Sequence, residues 1–278
     1  MTFMSHTGPE MIQGRLDNWT VTILGRNGIR LSSGTHFHLD EGPDFAYLSI
    51  YRAAAGGRQI DIVRNREATT TVDGDEAIVT WEPCEENNAR LAVRYHVIPD
   101  ERAIEMKIRA ETLQAYQAYE LFISSYFTPY HIPRFALKNS SVDPSNLVRW
   151  YQTKWCGEHN DEAWPRDEAA RQIFLDGRWM TKPVQNWTMG GNYAMPLMTQ
   201  QHRFAPSIIS MASPEDCIGL SGYNGYHNSQ YFHLFGCDTQ AGDLLETSVR
   251  MEIVEDKLED LDGLALQRYQ SWETGVNR

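Results

Sequence analysis

The sequence has no CxxC pair, no apolar run near the roughly 18 residues that a membrane span needs, and no basic or apolar leader in its first stretch, MTFMSHTGPEMIQGRLDNW. Cysteine is scarce: Cys84, Cys156, Cys217 and Cys237 stand far apart in 278 residues. A structural zinc site or a paired redox motif is therefore not expected. Reduced thiols are, because a chain of this length buries about 75% of its unfolded surface and needs no covalent staples. Positive charge is short as well, and the net charge is -12. Nucleic acid and anionic lipid surfaces demand clustered positive charge, so neither is an expected partner. An acidic substrate is still allowed, since a local arginine cluster can sit on an acidic protein. There is no internal repeat and no low-complexity segment. The expectation is a cytoplasmic protein forming a single domain over residues 1–278.

What is present is alternation. WTVTILGRNGIRL, residues 19–31, reads as a hairpin around Arg26-Asn27-Gly28. Ala46 to Tyr51 reads as a strand broken by the following Ala53-Ala54-Ala55-Gly56-Gly57. From 76 to 127 a meander is written plainly: Ile104, Met106 and Ile108 fall on one face while charged residues take the other. Residues 139–205 hold five of the eight tryptophans, read mostly as long loops, and include a short helix near Asp167 to Gln172. Strand signal returns from 207 to 254, and Leu258, Leu261, Leu264 and Leu266 have roughly helical spacing. The fold class expected is all-β: a large antiparallel β-sandwich with long aromatic-rich loops and a short C-terminal helix.

Two stretches carry a resemblance: LAVRYHVIPDERAIEMKIRAE followed by YELFISSYFTP, and HLFGCDTQAGDLLETSVRMEI. The pattern resembles the galactose mutarotase-like supersandwich, shared by aldose epimerases and by domains of polysaccharide lyases and glycoside hydrolases. The resemblance implies chemistry on a sugar. It also has a departure. Mutarotases carry their general-acid histidine two residues before a Tyr-Phe pair, whereas Ser124 and Ser125 precede Tyr126-Phe127 here. No glutamate is assigned to the family's late catalytic carboxylate.

The candidate site residues follow from side-chain chemistry. In SYFTPYHIP, His131 lies near Tyr126 just past a strand end, in a loop stiffened by Pro129 and Pro133, and a positioned imidazole beside phenols suits acid–base work. In SGYNGYHNSQYFHLFGCD, a strand over 231–235 puts Tyr231 and His233 on one face and Phe232 and Leu234 on the other. The catalytic candidates are His131, His233 and Tyr126. Sugar sites join flat aromatic faces to neutral polar groups, which nominates Trp179, Trp187, Asn192, Tyr193, Tyr226, His227 and Tyr231 as substrate-binding. Glu158, Asp161 and Glu162 could supply an acid or a base, although a charge run is more often a solvated face. His36-Phe37-His38 resembles half of a cupin metal motif, because alternate strand positions point to one side.

Together these lead to a carbohydrate-active enzyme, an epimerase, lyase or glycosidase-like protein, acting on a small sugar or oligosaccharide without a cofactor. The alternatives are a non-catalytic sugar-binding protein of the same fold, and a cupin-like enzyme holding a divalent metal at His36 and His38.

Overall fold

The computed structural model describes residues 4–6, 11–33, 46–129, 131–139, 147–154, 160–175, 186–202, 206–225, 227–254 and 260–276. Of the described residues 63% are strand and 14% helix, in keeping with the strict alternation at 104–108. The first four strands, β1 (Met4–His6), β2 (Met11–Leu16), β3 (Trp19–Ile23) and β4 (Ile29–Ser33), form a small antiparallel sheet in sequence order. The β3–β4 connection is the hairpin read from the sequence. Its Gly28 has φ 81°, and a Cβ there would lie 2.4 Å from the Tyr47 carbonyl oxygen.

The remaining strands make two large sheets. Those of the first are β5 (Ser49–Ala55), β6 (Arg58–Asp61), β11 (Tyr116–Phe127), β14 (Asn160–Pro165), β15 (Asn186–Met189), β18 (Cys217–Asn224) and β19 (Asn228–Thr239). They are ordered β15-β14-β18-β19-β11-β5-β6. The second has nine strands: β7 (Thr69–Asp73), β8 (Glu76–Trp81), β9 (Ala89–Ile98), β10 (Ala103–Thr112), β12 (His131–Lys138), β13 (Val148–Gln152), β16 (Tyr193–His202), β17 (Ser207–Ala212) and β20 (Leu244–Val254). Its order is β13-β12-β16-β17-β20-β10-β9-β8-β7. All of the pairings in it are antiparallel.

The sheets pack through their apolar faces. Val93 and Tyr95 of β9, Ile104, Met106 and Ile108 of β10, and Val249 and Met251 of β20 share one core with Leu121 and Ile123 of β11 and Phe232 and Leu234 of β19. Each such burial stabilises the fold by roughly 1.5–3 kcal/mol, and alternation lets the opposite face stay polar. Trp19, Val21 and Ile29 of the small sheet join the same core. Helix α2 (Leu261–Val276) buries Leu261, Ala265, Tyr269 and Trp272 against Ala136, Leu197, Ile209 and Met211, covering the outer side of β12, β16 and β17. The short helix α1 (Glu168–Leu175) starts under an Asp167 cap, whose Oδ1 accepts from the Ala170 N–H at 2.9 Å.

Three expectations need correction. The middle segment is not mostly loop: β13, β14, β15 and β16 lie in it. Its polar and tryptophan-rich composition hid them, and β14 and β16 are largely covered on both faces and show no alternation. His131 is not in a proline-stiffened loop but opens β12, where Pro133 pairs with Gln200 of β16. The run Ala53-Ala54-Ala55 continues β5, and the break comes only at the glycines. Among the described residues no helix is long and apolar enough to cross a membrane. Cys84, Cys217 and Cys237 are free thiols.

Candidate functional site

The seven-stranded sheet has an unusual second face. Its inner side is the core just described. Its outer side carries Glu120, Phe122, Ser124 and Tyr126 of β11 and Tyr231 and His233 of β19, since alternation sends these opposite to Leu121, Ile123, Phe232 and Leu234. Ser221 and Tyr223 of β18 and Asp161 of β14 point the same way. Glu162, the neighbour of Asp161, faces inward, where its Oε1 accepts from the Tyr151 hydroxyl of the opposing sheet at 2.7 Å. A β-bulge in β5 opposite Phe122 and Ile123 brings Tyr51 and Arg52 onto this outer face together.

Aromatic rings floor the face. Phe122 and Tyr231 stack with centroids 4.6 Å apart, and Tyr126 meets Tyr51, Tyr231 and His227 edge-on at 6.4, 6.2 and 5.1 Å. His227 also tilts against Tyr223 at 4.9 Å. Burial raises the phenol of Tyr126 to about 12 and that of Tyr231 well above its ordinary value. Both are therefore neutral hydrogen-bond donors at any physiological pH. The Tyr231 hydroxyl accepts from Ser229 Oγ at 2.6 Å.

Asp161 is the acid of this group. It is only 2% exposed. Desolvation lifts its carboxyl to about 7 in spite of the opposing pull of the Arg52 charge. Its Oδ2 and the Ser124 hydroxyl have no hydrogen-bond partner among the described residues. Two cations stand nearby. Arg52, 1% exposed, donates to Gln59 Oε1 at 2.9 Å and to the Tyr51 hydroxyl at 2.7 Å. The Arg64 guanidinium lies 3.8 Å from the Tyr51 ring centre and 5.4 Å from that of Tyr126.

His233 belongs to a separate arrangement on the same face. Its Nδ1 is 2.6 Å from Glu120 Oε1 and its Nε2 is 2.8 Å from Ser221 Oγ. A carboxylate at Glu120 accepts from Nδ1–H, so Nε2 accepts the serine proton. The bonding order is that of a hydrolytic serine relay. Access is not: Glu120, Ser221 and His233 are all fully buried. Phe122 and Phe174 close over the imidazole at 4.8 and 4.6 Å. Here the relay is a clamp across β11, β19 and β18.

No family model matches this sequence, and no curated protein does. Solved structures do match in shape. A candidate aldose 1-epimerase from Escherichia coli K12 aligns over 89% of this chain and 99% of its own, with TM-score 0.53 at 6% identity. The Slr1438 protein of Synechocystis sp. PCC 6803 aligns over 92% and 100%, with TM-score 0.53 at 10% identity. The chain has a galactose mutarotase-like fold. The α-N-acetylgalactosaminidase NagBb of Bifidobacterium bifidum, solved with GalNAc, covers 96% of this chain at TM-score 0.58 and 9% identity. Only 39% of that longer protein is spanned.

Within this mutarotase-like frame the candidates separate. Tyr126, Tyr231 and His227 come together on the outer face. His233 is on that face but held inside the clamp rather than turned to solvent. His131 is on the other side of the sheet. It packs on Phe127 at 5.4 Å and His202 at 4.5 Å between the two sheets, so it and His233 share no cleft. Burial and the neighbouring His202 lower its imidazole to about 3, which leaves it uncharged. Tyr193 is interior and donates to the Cys217 carbonyl. Asn192 Oδ1 accepts from Arg171 at 3.2 Å and tethers α1. The side chain of Trp187, and the whole of Trp179, Tyr226, His36 and His38, lie outside the described residues. Among the described residues no three His, Cys, Asp or Glu side chains could hold a metal ion together. Arg52, Arg64, Glu120 and Ser221 carry no signal in the sequence, and Asp161 stands there among three carboxylates that could supply an acid or base or form a solvated face.

Proposed function

We propose that the outer face of the seven-stranded sheet is a sugar site and that Asp161 moves the proton there. The observation that carries this reading is a buried carboxyl held near neutrality among phenols on an aromatic floor. A group poised near the working pH both gives and takes a proton readily. Tyr126, the half-buried phenol of the group, would donate to a sugar oxygen, with the buried Phe122–Tyr231 stack packed beside it. The names of the similar structures, an epimerase candidate and a glycosidase with GalNAc, agree with a sugar ligand.

Among sugar reactions the face favours an epimerase or lyase over a hydrolase. Glycosidases ordinarily work with two carboxyl groups flanking the scissile bond. Glu120, a second carboxyl on this face, is bonded to His233 and buried. A single acid–base group with phenolic helpers suits proton transfer at a hemiacetal oxygen or at a sugar carbon. The test is proton NMR on a panel of aldoses and uronates, following anomer exchange, solvent-deuterium uptake and elimination. Asp161→Asn should slow whichever reaction appears by roughly 10²–10⁴-fold while binding persists. An Asp161→Asn protein as active as the parent would overturn the assignment. Binding without any turnover would leave a sugar-binding protein.

A further inference from the structure

The geometry points to an anionic sugar, one bearing a carboxylate or phosphate, as the ligand of this face, with Arg64 as the residue that selects it. The inference rests on the sugar reading above and goes beyond it in naming the charge of the substrate.

The protein as a whole is strongly acidic, at -12, yet two arginines stand on this face, and its carboxyl Glu120 is taken up by His233. Arg52 and Arg64 both lie against the Tyr51 ring, at 4.4 and 3.8 Å from its centre. Among the described residues no carboxylate lies within ion-pair distance of Arg64, which is half-buried against Tyr51 and Tyr126. The acid described above as Arg52's electrostatic neighbour, Asp161, is only about half ionised at neutral pH, because burial holds it near 7. The other polar groups are mostly donors: the phenols of Tyr126 and Tyr231 are neutral O–H groups, and the Ser124 hydroxyl is unpartnered. A neutral sugar presents donors and acceptors in comparable number. A site rich in cations and O–H donors is instead matched to a ligand group that only accepts, which is what a carboxylate or phosphate does. Arginine is suited to it because its planar fork meets two oxygens at once. A bound anion would also favour the protonated form of Asp161, readying it as the acid.

The experiment is a titration by calorimetry and thermal shift with matched ligands: glucose, galactose and mannose, the corresponding uronates, the uronamides as neutral isosteres, and the 6-phosphates. The wild-type protein should bind one uronate or 6-phosphate about 10- to 100-fold more tightly than its neutral counterpart, the weight of a charge-assisted bond. Added salt should erode the gap. Arg64→Gln should remove most of that gap, and Arg64→Lys should restore part of it. Arg64 is half-exposed, so the variants should fold, and a melt of each checks this. Preference for the uronate over the phosphate, or the reverse, identifies the anion. Equal affinity for acid and amide overturns the inference and leaves the sugar reading standing, as does a preference that survives Arg64→Gln. If no ligand of any charge binds, both fall.

Discussion

At the scale of a residue, His233 shows what a strand pattern can and cannot reveal. Alternation correctly set it on the same face as Tyr231 and opposite Phe232 and Leu234. Nothing in the local sequence announced its partners: Glu120 is 113 positions away and Ser221 is 12. The face alone did not say whether the imidazole meets solvent, a concavity or protein; Phe174, from a helix in the middle segment, covers it. The consequence for mutation follows from that cover. A solvent-facing histidine could be removed with little loss. A fully buried one bonded to a carboxylate leaves that carboxylate stranded, at a cost of about 3–5 kcal/mol. His233→Ala should therefore lower stability by that amount in urea unfolding. Ser221→Ala should cost only about 1 kcal/mol, the net worth of an ordinary hydrogen bond. A His233→Ala protein as stable as its parent would show that the clamp contributes nothing.

At the scale of elements, legibility followed solvent exposure. Strands β9 and β10 have one buried side and one wetter one, so their period of two is visible in the sequence. Strand β12 is roofed by α2 on one side and faces the core on the other, and its proline argued against a strand at all. The site was obscured for the same reason. Its floor is polar yet buried, so the aromatic and charged positions there read as either loop or solvated surface. Helix α1 depends on one small residue. Phe174 lies flush on Gly219 of β18, where an added Cβ would sit 2.2 Å from the phenyl Cζ. Gly219→Ala should destabilise the protein by about 1–3 kcal/mol through overpacking, and trimming the ring with Phe174→Leu should recover part of the loss. A double-mutant cycle by thermal melting reads the coupling. Strict additivity of the two changes would mean that the helix does not rest on this contact.

At the scale of the whole molecule, two buried groups on opposite sides of one sheet hold protonation states that pull stability in opposite directions. His131 has its imidazole lowered from 6.5 to about 3 by burial and by His202. Between those values the unfolded chain binds a proton that the folded one does not, so this residue makes stability rise with pH. Asp161 is raised from 3.8 to about 7. Between those values the folded chain holds the extra proton, so this residue makes stability fall as pH rises. From about pH 4 to 6.5 the two slopes cancel, each being about 1.4 kcal/mol per pH unit. Single substitutions should uncover them one at a time. Relative to wild type, Asp161→Asn should gain stability steadily from pH 4 towards 7 and then level off, because the costly buried carboxylate is gone. His131→Gln should show its greatest relative benefit at the acid end of the range and lose it steadily up to about pH 6.5, levelling off above that. Each difference curve is read from urea unfolding at fixed pH steps, which removes the titrations common to all the proteins. Two curves tilting the same way, or no tilt in either, would mean that these groups are not held in the protonation states that the fold assigns them.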